Sequence, residues 1–174
     1  VNAGLNQTVC ANNAIVTLSG VSSTGSGIWT TSGSGTFLPS NTALTGTYTP
    51  SNSDTAAGSI ILTLSSTNNG GCPPTTSQVT ITITNAPVVN AGPDQTVCSN
   101  IFSVSLTGIV SGGASTGLWT TSGTGIFLPS SSVLNPTYIP SSADTTAGIV
   151  TITLTSTGNG LCNAVSDVMI INLT

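Results

Sequence analysis

The chain repeats itself once, almost end to end. Val1-Asn2-Ala3-Gly4 returns as Val89-Asn90-Ala91-Gly92, and Gln7-Thr8-Val9-Cys10 returns as Gln95-Thr96-Val97-Cys98, 88 residues on. After a two-residue insertion between Gly108 and Trp119 the offset becomes 90. Trp29-Thr30-Thr31-Ser32-Gly33 then matches Trp119-Thr120-Thr121-Ser122-Gly123, Thr47-Tyr48 matches Thr137-Tyr138, Asp54-Thr55 matches Asp144-Thr145, and Cys72 matches Cys162. Whatever fold the chain adopts must therefore be buildable twice. The period lacks the shortness of a solenoid repeat. The expected organisation is one domain over 1–84, a short linker over 85–88 and its copy over 89–174. Thr174 aligns with Thr84, so the chain reads as a window of a longer array or as a subunit that abuts its neighbour head to tail.

Each copy is patterned for strands. Val79-Thr80-Ile81-Thr82-Ile83-Thr84 alternates strictly, Ile60, Leu62 and Leu64 share one face, and Val150, Ile152 and Leu154 repeat that face. Alternation with period two places successive side chains on opposite faces of a sheet. No stretch carries helical periodicity. Clusters of Gly, Pro, Asn and Ser interrupt the runs, and Asn69-Gly70 and Asn159-Gly160 read as hairpin turns. Strands are expected near 6–10, 14–20, 27–32, 35–38, 44–49, 59–66 and 77–84. Seven short strands in under 90 residues predict an all-β fold: two tandem antiparallel immunoglobulin-like β-sandwich domains, with Trp29 and Tyr48 as core aromatics.

Charge excludes much of chemistry. The chain has no Lys, Arg or His, and its four acids give a net charge of −4. Its polar surface is hydroxyl instead, since Ser (26) and Thr (32) make up a third of the 174 residues. Without cations nothing neutralises phosphates, so nucleic acid is excluded as a partner, and a P-loop lacks its lysine. Without His there is no Ser-His-Asp triad and no imidazole metal site. No enzyme activity and no cofactor are therefore expected. Asp54, Asp94, Asp144 and Asp167 are isolated. A calcium site using Asp94 and carbonyls near the linker is the one metal candidate, and turn or capping roles are the expectation for all four. No apolar run is long enough for a membrane helix.

Four cysteines in such a chain point to an oxidising compartment, and so to an extracellular location. They allow three pairings, from which the repeat selects Cys10–Cys72 and Cys98–Cys162, one internal disulfide per copy. Loops of that length are worth on the order of 4 kcal/mol each in the chain-entropy model.

The strings Asn90-Ala91-Gly92-Pro93-Asp94-Gln95-Thr96-Val97-Cys98, Trp119-Thr120-Thr121-Ser122-Gly123-Thr124-Gly125, Thr137-Tyr138-Ile139-Pro140 and Leu154-Thr155-Ser156-Thr157-Gly158-Asn159-Gly160-Leu161-Cys162 carry a resemblance. The chain resembles the immunoglobulin-like or PKD-like tandem repeats of large secreted cell-surface proteins of Bacteroidota. Copy one departs from the pattern, with Leu5-Asn6 in place of Pro93-Asp94. The resemblance implies an arrayed, non-catalytic extracellular module of adhesin-like or fibre-forming proteins, and it transfers no catalytic residue. It also implies O-glycosylation at Asp-Thr, which makes Thr55 and Thr145 the candidate attachment sites; an Asx-type turn is the plainer reading of both.

The functional expectation is a structural subunit of an extracellular filament or adhesin stalk whose partners are copies of itself, with possible covalent glycans. Val79 to Thr84 is flat, β-branched and uncharged, and such a strand at a sheet edge invites pairing. Val79, Ile81 and Ile83, with Val1 and Val9 in the first strand, are the candidate assembly positions. The alternatives are an extracellular glycan- or protein-binding module that uses loops such as 111–117, and an ice- or mineral-facing surface of Thr rows.

Overall fold

The computed structural model describes residues 1–98, 100 and 103–174. Contacts divide it into two compact units, Val1–Asn85 and Ala86–Thr174.

In the first unit, β1 (Gln7–Cys10), β7 (Thr76–Thr84), β6 (Ser59–Ser66) and β3 (Gly27–Thr31) form a sheet in the order β1-β7-β6-β3. The second sheet has the order β2-β5-β4, from Val16–Ser19, Thr45–Thr49 and Thr36–Leu38. Period-two alternation does what it predicts. Ile60, Leu62 and Leu64 of β6, Val79, Ile81 and Ile83 of β7, and Val16 and Leu18 of β2 point into one core with Trp29 and Tyr48. The intervening hydroxyls of β6 and β7 face away. Two four- and three-stranded layers closing on such a core define a β-sandwich of immunoglobulin-like topology.

The second unit repeats this plan. Its larger sheet is β12-β15-β16-β9 (Thr116–Thr121, Ile149–Thr157, Ser166–Leu173, Gln95–Val97), and its smaller one is β10-β14-β13 (Val104–Ser105, Thr137–Ile139, Ile126–Leu128). Trp119, Tyr138, Leu154, Met169 and Ile171 occupy its core. A further pair, β8 (Pro87–Asn90) against β11 (Ile109–Gly112), answers a single bridge between Asn2 and Val21 in the first unit. Half of the expected linker, Pro87 and Val88, thus belongs to a strand.

Three features depart from the sequence reading. The sandwich is not wholly antiparallel: β1 runs parallel to β7, with Gln7 opposite Ile81 and Cys10 opposite Thr84, and β9 runs parallel to β16. The expected Asn-Gly hairpins are longer connections, 67–75 in the first unit, where the Ser66 hydroxyl accepts the Thr75 N–H at 2.9 Å. And each copy contains a helix, α1 (Asn52–Ala57) and α2 (Ser142–Ala147). Six residues are too few to show an apolar face, so periodicity could not reveal them. What makes them is a capping box: Ser51 accepts the Asp54 N–H while the Asp54 carboxylate accepts the Ser51 N–H. Gly58, left-handed at φ 75°, ends α1, and Gly148 at φ 72° ends α2.

Candidate functional site: the poles and edges of each repeat

In each unit a buried carboxylate and a buried phenol cluster on the helix cap. Asp54 is buried at 3% exposure. Its Oδ1 accepts the Ser34 N–H at 2.9 Å, and its Oδ2 accepts the Ser51 N–H at 3.0 Å and the Tyr48 hydroxyl at 2.8 Å. The Tyr48 oxygen in turn accepts the Gly35 N–H at 2.9 Å and the Thr31 hydroxyl at 3.1 Å. Burial by itself pushes the Asp54 carboxyl up, but the hydrogen bonds from Ser51, Ser34 and Tyr48 together outweigh it and hold the group below its ordinary value. Copy two repeats the arrangement with Asp144, Tyr138 and Thr124, and burial first, with Asp144 beside it, pushes the Tyr138 phenol up to about 12. A carboxylate held ionised and a phenol held neutral, each fully engaged, make a structural knot and leave no group poised for proton transfer. Gly33 and Gly35 are explained by it, because a Cβ on either would run into Asp54 or Tyr48. This knot escaped the sequence reading, although the recurrence of Gly33, Gly35, Tyr48 and Asp54 in both copies was visible.

The other two acids also serve backbone amides. Asp167 Oδ2 accepts the Ala91 N–H at 2.8 Å, and Asp94 Oδ1 accepts the Ile170 N–H at 2.8 Å. No group of three or more metal-ligating side chains exists among the described residues. Among the described residues no helix is long and apolar enough to cross a membrane.

Thr55 and Thr145 lie in α1 and α2 rather than in an Asx turn, half-buried, their hydroxyls donating to Asn52 O and Ser142 O at 2.9 Å. Loop 111–117 is mostly strand: Ser111 and Gly112 end β11, Thr116 and Gly117 begin β12, and three residues connect them.

The expected assembly positions need correction. β7 is not an edge strand; it sits between β1 and β6, and Val79, Ile81 and Ile83 are core side chains at 2%, 0% and 4% exposure. This long alternating strand goes to the interior because both of its neighbours then cover its hydrogen-bonding groups and the core covers one face of its side chains. The true edges of the first unit, β1, β3, β2 and β4, are only three to five residues long. Shortness thus performs the protection that lysines perform elsewhere. Val9 is buried on edge strand β1, and Val1 packs against the core.

The cysteines need correction too. Cys72 and Cys98 are exposed free thiols, whereas Cys10 and Cys162 are disulfide-bonded, so neither within-copy bridge exists. The parallel pairing of β1 is the reason. Cys10 is level with Thr84, at the end of β7, where the chain leaves the unit; its sulfur lies 3.7 Å from Asn85 O. Cys72 precedes the start of β7, beside the connection where its N–H bonds Asn69 O. The nine residues of β7 separate the two. At about 3.4 Å per residue the eight steps from its first Cα to its last span some 27 Å, against the limit of about 7 Å between Cα atoms that a disulfide spans. The second unit is alike: Cys98 follows Val97, which lies opposite Leu173 at the end of β16, and Cys162 precedes Ser166 at its start. Each copy therefore has a leading pole, where the chain comes in and Cys72 or Cys162 sits, and a trailing pole, where it leaves and Cys10 or Cys98 sits.

No protein-family model matches the chain, and no curated protein matches it. Solved structures of tandem β-sandwich domains are similar in outline: immunoglobulin domains 1–5 of Sidekick-1 at 16% identity and TM-score 0.46, Drosophila N-cadherin EC1-4 at 12% and 0.49, and the titin I-band fragment I67-I69 at 11% and 0.47. Each comparison covers 99% of this chain, which spans 38%, 48% and 64% of those structures. The immunoglobulin-like reading itself rests on the strand order above.

Proposed function

We propose that the chain is a mechanical unit of an extracellular filament or adhesin stalk, a β-sandwich repeat that assembles head to tail with copies of itself and performs no catalysis. One observation carries this reading: all four carboxylates, the only charged side chains, accept backbone N–H groups within their own unit. No carboxylate is therefore left without a structural partner in its own unit. What the sequence repeats faithfully in both copies is the apparatus of a stable sandwich with two distinct poles. Thr55 and Thr145, on the surface helices, are the proposed points of glycan attachment.

Analytical ultracentrifugation and electron microscopy of the purified chain test the reading. Linear particles that lengthen with concentration are the expected result. A chain that stays monomeric at every concentration, or one that binds a glycan array saturably through the 111–117 region, would refute it. Mass spectrometry of native material decides glycosylation: added hexose mass on the helix peptides supports it, and unmodified Thr55 and Thr145 remove it.

A further inference from the structure

Among the cysteines, equivalent positions in the repeat go with opposite covalent states. Cys10 ends β1 and Cys98 directly follows β9, each after Gln-Thr-Val at a trailing pole; Cys10 is disulfide-bonded and fully buried, and Cys98 is an exposed thiol. Cys72 and Cys162 both sit in the long connection at a leading pole; Cys162 is disulfide-bonded and half-buried, and Cys72 is an exposed thiol. The oxidised set is thus one trailing-pole and one leading-pole cysteine. The reduced set is also one of each, and it comprises the leading pole of copy one and the trailing pole of copy two. Each exposed thiol thus has a repeat equivalent that is already oxidised.

Building on the head-to-tail reading above, we propose that Cys98 of one chain forms a disulfide with Cys72 of a second copy of this chain, so that the assembly is covalently closed at each junction. Both sulfurs are solvent-accessible, and neither pole carries a cation or a dense acidic cluster that would repel another copy. The reaction is thiol–disulfide exchange with a small-molecule disulfide such as oxidised glutathione. The Cys98 thiolate attacks one sulfur of that disulfide and releases one glutathione thiolate. The Cys72 thiolate of the second copy then attacks the Cys98 sulfur of the mixed disulfide and releases the other. Two protein thiols lose two protons and two electrons, and one oxidised glutathione becomes two reduced ones.

The absence of Lys and Arg makes trypsin useless here, but cleavage before each Asp puts every cysteine on its own fragment: Cys10 on 1–53, Cys72 on 54–93, Cys98 on 94–143 and Cys162 on 144–166. The full chain, with Cys10 and Cys162 left oxidised, is incubated concentrated with oxidised glutathione. The expected product is a ladder of multiples of 17.1 kDa on a non-reducing gel, collapsing under reductant, with fragment 94–143 linked to 54–93. Cys72→Ser alone and Cys98→Ser alone should each stay monomeric, and their equimolar mixture should give dimer and nothing larger. Dimers of either single variant, or a 94–143 to 54–93 link confined to the monomer band, overturn the proposal. A wild-type chain that forms linear particles by electron microscopy yet shows no covalent ladder overturns the junction disulfide and leaves head-to-tail assembly standing. A chain that forms neither overturns both.

Discussion

The two copies are one repeat folded twice, so their differences isolate what a repeat does not decide for itself. The indole of Trp119 donates to Leu134 O at 3.2 Å, a carbonyl that also accepts the Gly108 N–H at 3.0 Å. In copy one Leu44 O accepts the Gly20 N–H at 2.9 Å, but the buried Trp29 Nε1 has no partner. The first-copy bridge at Asn2 becomes a four-residue strand, β8, in copy two. The caps, by contrast, coincide to within a tenth of an ångström in each hydrogen bond. The knot around each helix cap is copied faithfully, whereas the indole hydrogen bond and the pairing at the start of the unit are not.

Several substitutions would break or sharpen that contrast. Trp29→Ala and Trp119→Ala should each cost about 3–5 kcal/mol, since both rings are fully buried. Hydrogen exchange read by mass spectrometry should show the loss in the altered copy. Asp54→Ala and Asp144→Ala come next, at about 2–4 kcal/mol each, because a phenol and two backbone N–H groups lose their acceptor. Equal losses in the two copies are expected here, and an unequal pair would break the claim that local groups are copied faithfully.

The same knots set the pH profile. The carboxyls of Asp54 and Asp144 titrate below their ordinary value of 3.8, so their contribution is complete above that value and is lost as pH falls through the depressed one. The phenols of Tyr48 and Tyr138 titrate above 10.0, so theirs is complete below 10 and is lost as pH rises, for Tyr138 through about 12. Melting temperature should therefore be flat between the two limits, and Asp54→Asn together with Asp144→Asn should flatten the acid limb.

Smaller effects follow. Gly58→Ala and Gly148→Ala should cost about 1–2 kcal/mol each for placing a Cβ in the left-handed region. The smallest effect is the most discriminating. Trp119→Phe removes a made hydrogen bond and Trp29→Phe removes an unmade one, so denaturant titration should find the former costlier by about 1 kcal/mol.

Much of the fold was legible. Alternation at Ile60, Leu62 and Leu64 or at Val79, Ile81 and Ile83 is a purely local pattern, and it named the strands and the core face directly. The helices were not legible, because six residues at 52–57 show no periodicity; the Ser51 and Asp54 pair of a capping box was their only signal. The expected assembly strand failed for a related reason. Alternation says that Val79 to Thr84 is a strand, but it does not say whether that strand lies at an edge, and β1 covers it. Of the proposed site, the sequence supplied the four cysteines but not their pairing.

From the sequence alone came the twofold repeat, the strand content, the core residues and the exclusion of chemistry that needs cations or imidazole. Each depends on residue type or on spacing along a few residues. Strand order and direction were decided only in three dimensions, and with them the poles at which the cysteines lie. A parallel β1 puts Cys10 at one end of β7 and leaves Cys72 at the other, and no short-range pattern distinguishes that arrangement from its antiparallel mirror, since both bury Val9 equally well.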